Sequence, residues 1–175
     1  MVFNDNEDKG PSCRDGEIVG GTLKIVGVIS DTHGLMRPEA LAALEDADLI
    51  VHAGDFGTAE VLQALQRIGP VFAVRGNIDR DVPVTAFPTT QVVEVEGTHL
   101  YVLHDLIELD LDPAAADFQV VVFGHTHQPS VMTNRGVLYL NPGSAGPRRF
   151  RLPVTVAKLR IGDGRPQAEI IDLKV

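Results

Sequence analysis

Residues 22–34 read TLKIVGVISDTHG. The apolar, β-branched run TLKIVGVIS predicts a buried strand, and the polar loop DTHGLMR ends it. Working outward, Pro38 stands at the first position of a predicted helix, PEALAALEDA, with Leu41 and Leu44 on one face. ADLIVHAGD is a second short strand. Thr58 is placed to cap the next helix, whose apolar stripe is Val61, Leu62, Leu65 and Ile68 and which Gly69-Pro70 ends. PVFAVRGN is a third strand. The first half therefore reads β-α-β-α-β, an α/β order that implies parallel strands joined by crossover helices.

The second half is richer in strands. TTQVVEVEG and THLYVLH flank Gly97 and alternate as the arms of a hairpin do. DPAAADF is long enough for one helical turn, and FQVVVFG is another buried strand. GVLYLN, PVTVAKLRI and QAEIIDLKV are further strands, the last two separated by the turn GDGRP. These form a second sheet or an antiparallel extension of the first. Residues 1–21 are polar and acidic, without periodicity, and read as a flexible N-terminal tail. Residues 22–175 read as a single domain, with no internal repeat.

A chain of 175 residues suits one domain with a sizeable core, and 44% hydrophobic residues exclude a disordered chain. No apolar stretch approaches the roughly 20 residues that a membrane span needs. The start, MVFNDNEDKG, lacks the basic and apolar regions of a signal peptide. Cys13 is the single cysteine, so there is no internal disulfide framework. A cytoplasmic location is the expectation. The formal net charge of −9 argues against bulk nucleic-acid binding, which needs clustered Lys and Arg. It leaves room for a phosphorylated substrate, because bound divalent cations reverse the field locally.

The residues after each predicted strand share one chemistry. Asp31, Thr32 and His33 follow the first strand, and Asp55 follows the second. Asn77 follows the third, with Asp79 beyond it. His104 ends LYVL, and His125, Thr126 and His127 follow VVVFG. Ligands of open α/β sheets bind at the carboxyl ends of strands, so five strands deliver Asp, Asn or His to one edge. His52 and His99 instead lie within strand patterns. Asp oxygen and His nitrogen suit borderline divalent ions such as Mn, Fe, Zn, Ni or Co, and the lack of cysteine excludes a structural thiolate zinc site. Eight donors exceed what one tetrahedral ion takes. They suit two ions about 3.5–4 Å apart sharing a carboxylate, an arrangement used for in-line attack on phosphorus.

Together, SDTHG, AGD, GNID, the strand-end His104, GHTH and NPGS resemble the motifs of the calcineurin-like metallophosphoesterase superfamily. The nearest likeness is to its small bacterial and archaeal phosphodiesterase branch, over residues 23–172. The resemblance implies a two-sheet β sandwich flanked by helices. It implies that Asp31, His33 and His127 hold a first metal, that Asp55 bridges, and that Asn77, His104 and His125 hold a second. Asn77 and His104 would also act catalytically, stabilising charge on the phosphoryl oxygens. The implied cofactors are two divalent ions, with Mn2+ favoured over Fe, Zn, Ni or Co, that activate a bridging water for attack on a phosphodiester.

Asn141-Pro142-Gly143-Ser144 matches a loop of that branch near the site; it also reads as a tight turn after GVLYL. Ile78 stands where many larger members carry a His that contacts phosphate or protonates the leaving group. Asp105 follows His104 where relatives usually carry Gly. It reads as solvent-facing, with the alternative that it orients a ligand His as an acceptor.

Two other functions share this fold. A phosphomonoesterase would use the same metals and more groups to hold a dianion, for which Arg75, Arg148 and Arg149 are candidates. A protein-interaction scaffold such as the retromer subunit resembles the fold but has lost metal ligands, whereas every expected ligand position here is filled. The expected partner is a small phosphorylated substrate. The strand-rich half also offers an edge for a homo-oligomer.

Overall fold

The run that opens at Thr22 forms β1 (Lys24–Ile29), the central strand of its sheet. A computed structural model describes residues 22–80 and 84–175, so the expected tail over residues 1–21 lies outside the described residues. The predicted β-α-β-α-β order continues with α1 (Pro38–Leu44), β2 (Leu49–His52), α2 (Ala59–Gln66) and β3 (Val71–Ala73). β1, β2 and β3 are parallel, as crossover helices require. Pro38 takes the first turn of α1. Thr58 occupies the N-cap position of α2, but its side chain makes no capping bond.

The second half supplies β4 (Thr90–Val95), β5 (Thr98–Leu103), β6 (Val120–Val122), β7 (Ser130–Asn134) and β8 (Val137–Asn141). They form a separate sheet in the order β4-β5-β6-β8-β7. β4 and β5 make the expected hairpin, closed by Glu96 and Gly97 with φ of 47° and 73°. Positive φ at both turn residues matches the twist of the flanking strands. β9 (Thr155–Ile161) and β10 (Gln167–Asp172) return to the first sheet and extend it antiparallel, giving the order β10-β9-β1-β2-β3. The second half thus does both expected things: it builds a new sheet and extends the old one.

Two five-stranded mixed sheets therefore face each other. Val26, Val28, Val51 and Leu159 of one pack against Leu100, Val102, Val120 and Leu140 of the other, all buried. Each such side chain contributes about 1.5–3 kcal/mol through burial. α1 and α2 cover the outer face of the first sheet through Leu44, Val61 and Leu65. The outer face of the second sheet is covered by the connection from β5 to β6, which lays Leu106, Leu109 and Phe118 over Tyr101 and Phe123. Helical flanking is therefore one-sided. DPAAADF is a series of turns with one α-type bond, Ala116 N–H to Asp112 O at 3.0 Å. β7 carries no clear strand signature in the sequence; it is a largely exposed edge strand after Pro129. Among the described residues no helix is long and apolar enough to cross a membrane.

Candidate metal centre

The carboxyl ends of β1, β2, β5 and β6 meet at one place. Asp31, His33 and His127 form one group of possible metal ligands, and Asp31, Asp55 and His104 form another. Within each group the ligand atoms lie within 4.8 Å of one another. Asp31, His33, Asp55, His125 and His127 all have φ between 47° and 66°. Such conformations cost energy for residues with a side chain and persist only where surrounding structure enforces them. Their concentration here is a mark of a site built for function.

The two carboxylates are arranged alike. Asp31 Oδ2 accepts Ser30 Oγ–H at 2.6 Å and the His125 amide at 3.1 Å. Its Oδ1 lies 3.1 Å from His127 Nε2 and 3.8 Å from His33 Nε2, yet it is buried with no hydrogen bond. Asp55 Oδ1 accepts the Ile78 amide at 3.0 Å. Its Oδ2 lies 3.8 Å from His33 Nε2 and 3.5 Å from His104 Nε2. Each carboxylate thus has one oxygen anchored and one turned toward imidazole nitrogens.

The histidines complete the pattern. His104 Nδ1 donates to Ala53 O at 2.7 Å, which leaves Nε2 as a lone-pair donor. That Nε2 is buried and without a hydrogen bond, as is His127 Nδ1. The Nε2 atoms of His33 and His127 are 3.2 Å apart. Buried unpaired polar atoms are costly, and two of them, Asp31 Oδ1 and His104 Nε2, stand in one group with the Asp55 carboxylate. A divalent cation satisfies them together, so the donor set fits a metal.

The protonation states follow from the same contacts. Burial works to raise the Asp31 and Asp55 carboxyls. The close His127 imidazole and the Ser30 hydroxyl, and the close His104 imidazole and the Ile78 amide, outweigh it, holding Asp31 below the usual range and Asp55 at about 2. Burial lowers His33, against the pull of Asp55 and Asp31. Burial also opposes charge on His104, but Asp55, the Ala53 carbonyl and Asp31 push it up to about 9. A proton on His104 therefore balances the carboxylates of Asp55 and Asp31 in the metal-free protein.

Asn77 and His125 stand at the exposed rim. Asn77 Nδ2 and His125 Nδ1 are 3.4 Å apart, and the His125 ring meets His104 edge-on with centroids 5.3 Å apart. His125 belongs to neither buried group; its Nε2 faces Asp105 Oδ2 at 3.5 Å. Asp105 is accordingly not a solvent-facing residue. It is half-buried, caps the turn at Leu106–Glu108 through the Ile107 amide, and sits as an acceptor beside His125. The exposed Ile78 side chain has no counterpart to the larger members' His, but its backbone amide anchors Asp55.

Several residues support the site without joining either group of possible ligands. Asp79 accepts three backbone amides, from Asp55, Gly57 and Gly76. His52, buried at the end of β2, accepts the Gly54 amide on Nδ1 at 3.1 Å, so its Nε2–H donates to Thr32 Oγ1 at 3.1 Å. Thr32 Oγ1 in turn reaches Phe56 O at 3.1 Å, tying the loop after β1 to the loop after β2. Gly124, past the end of β6, leaves room for Ser30: a Cβ there would collide with Ser30 Oγ. Asn141-Pro142-Gly143-Ser144 is both a turn and a brace. Asn141 Nδ2 donates to Gly124 O at 2.8 Å, and Ser144 Oγ donates to Asp31 O at 2.9 Å. Of the three arginines singled out, Arg149 alone contacts a candidate ligand, with Nη2 3.4 Å from His33 Nε2; Arg148 donates to the Val175 carbonyl.

Comparison with known proteins agrees with this geometry. The family model of the calcineurin-like phosphoesterase superfamily domain matches residues 25–164. A probable metallophosphoesterase of Methanothermobacter thermautotrophicus is 35% identical over 159 residues, covering 84% of this chain and 91% of that protein. Phosphodiesterase YfcE of Escherichia coli is 32% identical over 141 residues, covering 66% of this chain and 76% of that protein. The structure of Vacuolar Protein Sorting 29 from Cryptosporidium parvum superposes with a TM-score of 0.70 at 20% identity, over 87% of this chain and 98% of that one, a likeness of fold.

Proposed function

The chain belongs to the calcineurin-like phosphoesterase superfamily, in its small YfcE-type phosphodiesterase branch, and from that premise we propose that it hydrolyses a phosphodiester at a pair of divalent ions. Asp31, His33 and His127 would hold one ion, and Asn77, His104 and His125 the other, with Asp55 between them. The observation that carries this reading is the convergence of the unbonded Asp31 Oδ1 and His104 Nε2 with the free oxygen of Asp55. Ions bound there would lower the pKa of a water and neutralise charge on phosphoryl oxygens.

The chain's own groups supply the rest. Ser30 and the His125 amide fix the Asp31 carboxylate, and the Ile78 amide fixes Asp55, so neither must reorganise when charge develops nearby. The Ala53 carbonyl sets the tautomer of His104. Asn77 at the rim would donate its amide to a phosphoryl oxygen, and the Arg149 guanidinium would add positive charge beside His33.

A monoester dianion calls for more cationic contacts than a diester. Arg149 stands at the centre while Arg148 is engaged with the C-terminal carbonyl, which favours the diester. Mn2+ is the ion of choice for reconstitution. The test is hydrolysis of bis(p-nitrophenyl) phosphate and p-nitrophenyl phosphate by the Mn2+-loaded chain and by Asp55→Ala. The expected result is diester preference in the wild type and loss of at least a hundredfold in the variant. Equal rates in the two proteins would remove Asp55 from the bridge.

A further inference from the structure

Beyond the metal centre, one loop has features that folding alone does not explain. Ala145 N–H donates to Ser30 O at 3.1 Å, Gly146 N–H donates to Asp31 O at 3.2 Å, and Arg37 donates to Gly146 O at 3.3 Å. A Cβ on Gly146 would collide with the Thr32 carbonyl. These bonds fasten residues 144–146 to the metal loop, so the segment PRRFR, residues 147–151, leaves directly from its edge. Arg149 turns back to His33, and the turn is closed by Leu152 N–H to Arg149 O at 3.1 Å.

Phe150 sits at the tip of that turn, 93% exposed, with φ of 53°. A bulky residue at positive φ is uncommon and strained, and an exposed ring gains nothing from burial in return. Phe150 lines an open groove of about 730 Å3 with Gln128, Arg151 and Leu152. Two of its lining residues are chain neighbours of the centre: Gln128 follows the candidate ligand His127, and Phe150 follows Arg149, which contacts His33. The aromatic face of Phe150, the Gln128 amide and the Arg151 guanidinium in the groove, with the Arg149 guanidinium beside His33, match a ligand that carries a planar ring next to an anionic phosphate.

We propose that this groove holds the planar aromatic moiety of the phosphoester, as in a nucleotide, with Phe150 as its stacking face and Arg149 as the anchor for its phosphoryl group. The proposal rests on the phosphoesterase reading of the adjoining centre. It makes Phe150 and Arg149 specificity-determining residues: base-bearing substrates gain from stacking, and aliphatic esters do not.

The chain contains no tryptophan, so Phe150→Trp creates a single fluorescent reporter at a site where the larger ring is freely accommodated. The full chain carrying it is titrated, without added divalent ion, with AMP, phenyl phosphate and glycerol 1-phosphate. Saturable quenching by AMP but not by glycerol 1-phosphate is expected, and adding Arg149→Ala should raise the AMP half-saturation about tenfold. Tighter saturation by AMP than by phenyl phosphate assigns the groove to a nucleobase, and the reverse order assigns it to an aryl group. No saturable change with either aromatic phosphate, or the same change with all three, overturns the proposal. Diester hydrolysis by the wild-type chain is scored separately. Hydrolysis without quenching removes the groove and keeps the enzyme, and quenching without hydrolysis does the opposite.

Discussion

The carboxylate of Asp79 accepts the backbone N–H of Asp55 at 2.9 Å, and with the same two oxygens it takes the amides of Gly76 at 2.8 Å and Gly57 at 3.1 Å. Asp79 is buried, as is the Asp55 amide it holds, while Gly57 and Gly76 are half-buried. It joins the loop after β3 to the loop after β2 and sets the backbone from which Asp55 projects. Asp79→Ala should therefore destabilise the fold by roughly 3 kcal/mol, as unsatisfied buried donors do. It should weaken metal binding as well, although Asp79 is not expected to touch the ion. Denaturant unfolding and calorimetric metal titration check the two effects together. A stable variant with unchanged affinity would show that the loops hold their shape without it.

Metal uptake should be coupled to a proton at His104. The folded-state pKa of His104 is raised to about 9, above the ordinary 6.5. In the metal-free protein its contribution to stability is therefore full below about pH 6.5 and fades as pH rises through about 9. A bound cation needs the same Nε2 lone pair, so binding at pH 7 should release close to one proton, with affinity rising up to about pH 9. Calorimetry in buffers of different ionisation enthalpy measures that release. Proton-independent binding would mean that His104 is not a ligand.

How much of this was legible in the sequence depends on what each residue does. β1, β2 and β6 announce themselves because strands inside a sheet of the sandwich need apolar residues without interruption. The meeting of Asp31, His33, Asp55, His104 and His127 was legible for a related reason: parallel strands place their carboxyl ends together. β7 was not legible, because an exposed edge strand places no demand on residue type. Nor were the tasks of Asp79 and Asp105. A carboxylate that accepts backbone amides and one that binds a cation are the same letter, and only the partners tell them apart. Arg149 was one of three equivalent candidates until the turn at Phe150 aimed it at His33.

Acid should act on the fold through His52. Burial pushes its pKa down to about 3, against the pull of Asp31 and Asp55, so the folded protein keeps it neutral. The unfolded chain protonates it near 6.5. Between those values the unfolded state binds one more proton, and stability falls as pH drops, by about 1.4 kcal/mol per pH unit from this residue. His52→Gln, which keeps an acceptor and a donor, should be less stable at pH 7.5 but lose stability more gently between pH 6 and 4.5. Parallel stability curves for the two proteins over that range would assign the acid sensitivity elsewhere.

The two histidines of GHTH should separate in a metal titration. His127 is buried within 3.1 Å of Asp31 Oδ1, inside one of the two Asp/His groups. His125 is at the rim, with Asn77 on one side and Asp105 at 3.5 Å on the other. His127→Ala removes a buried donor and should abolish one equivalent of bound metal. His125→Ala removes an exposed donor from the proposed second site and should weaken that site roughly 10- to 100-fold while leaving the other unchanged. Asp105→Asn should reproduce part of the His125 effect, because the acceptor that orients the ring is weakened while the ring itself remains. Metal content after dialysis, measured alongside calorimetry, distinguishes an absent site from a weakened one. The same loss profile in His125→Ala and His127→Ala would mean that both imidazoles serve one ion, and a silent Asp105→Asn would mean that the 3.5 Å contact does not orient His125.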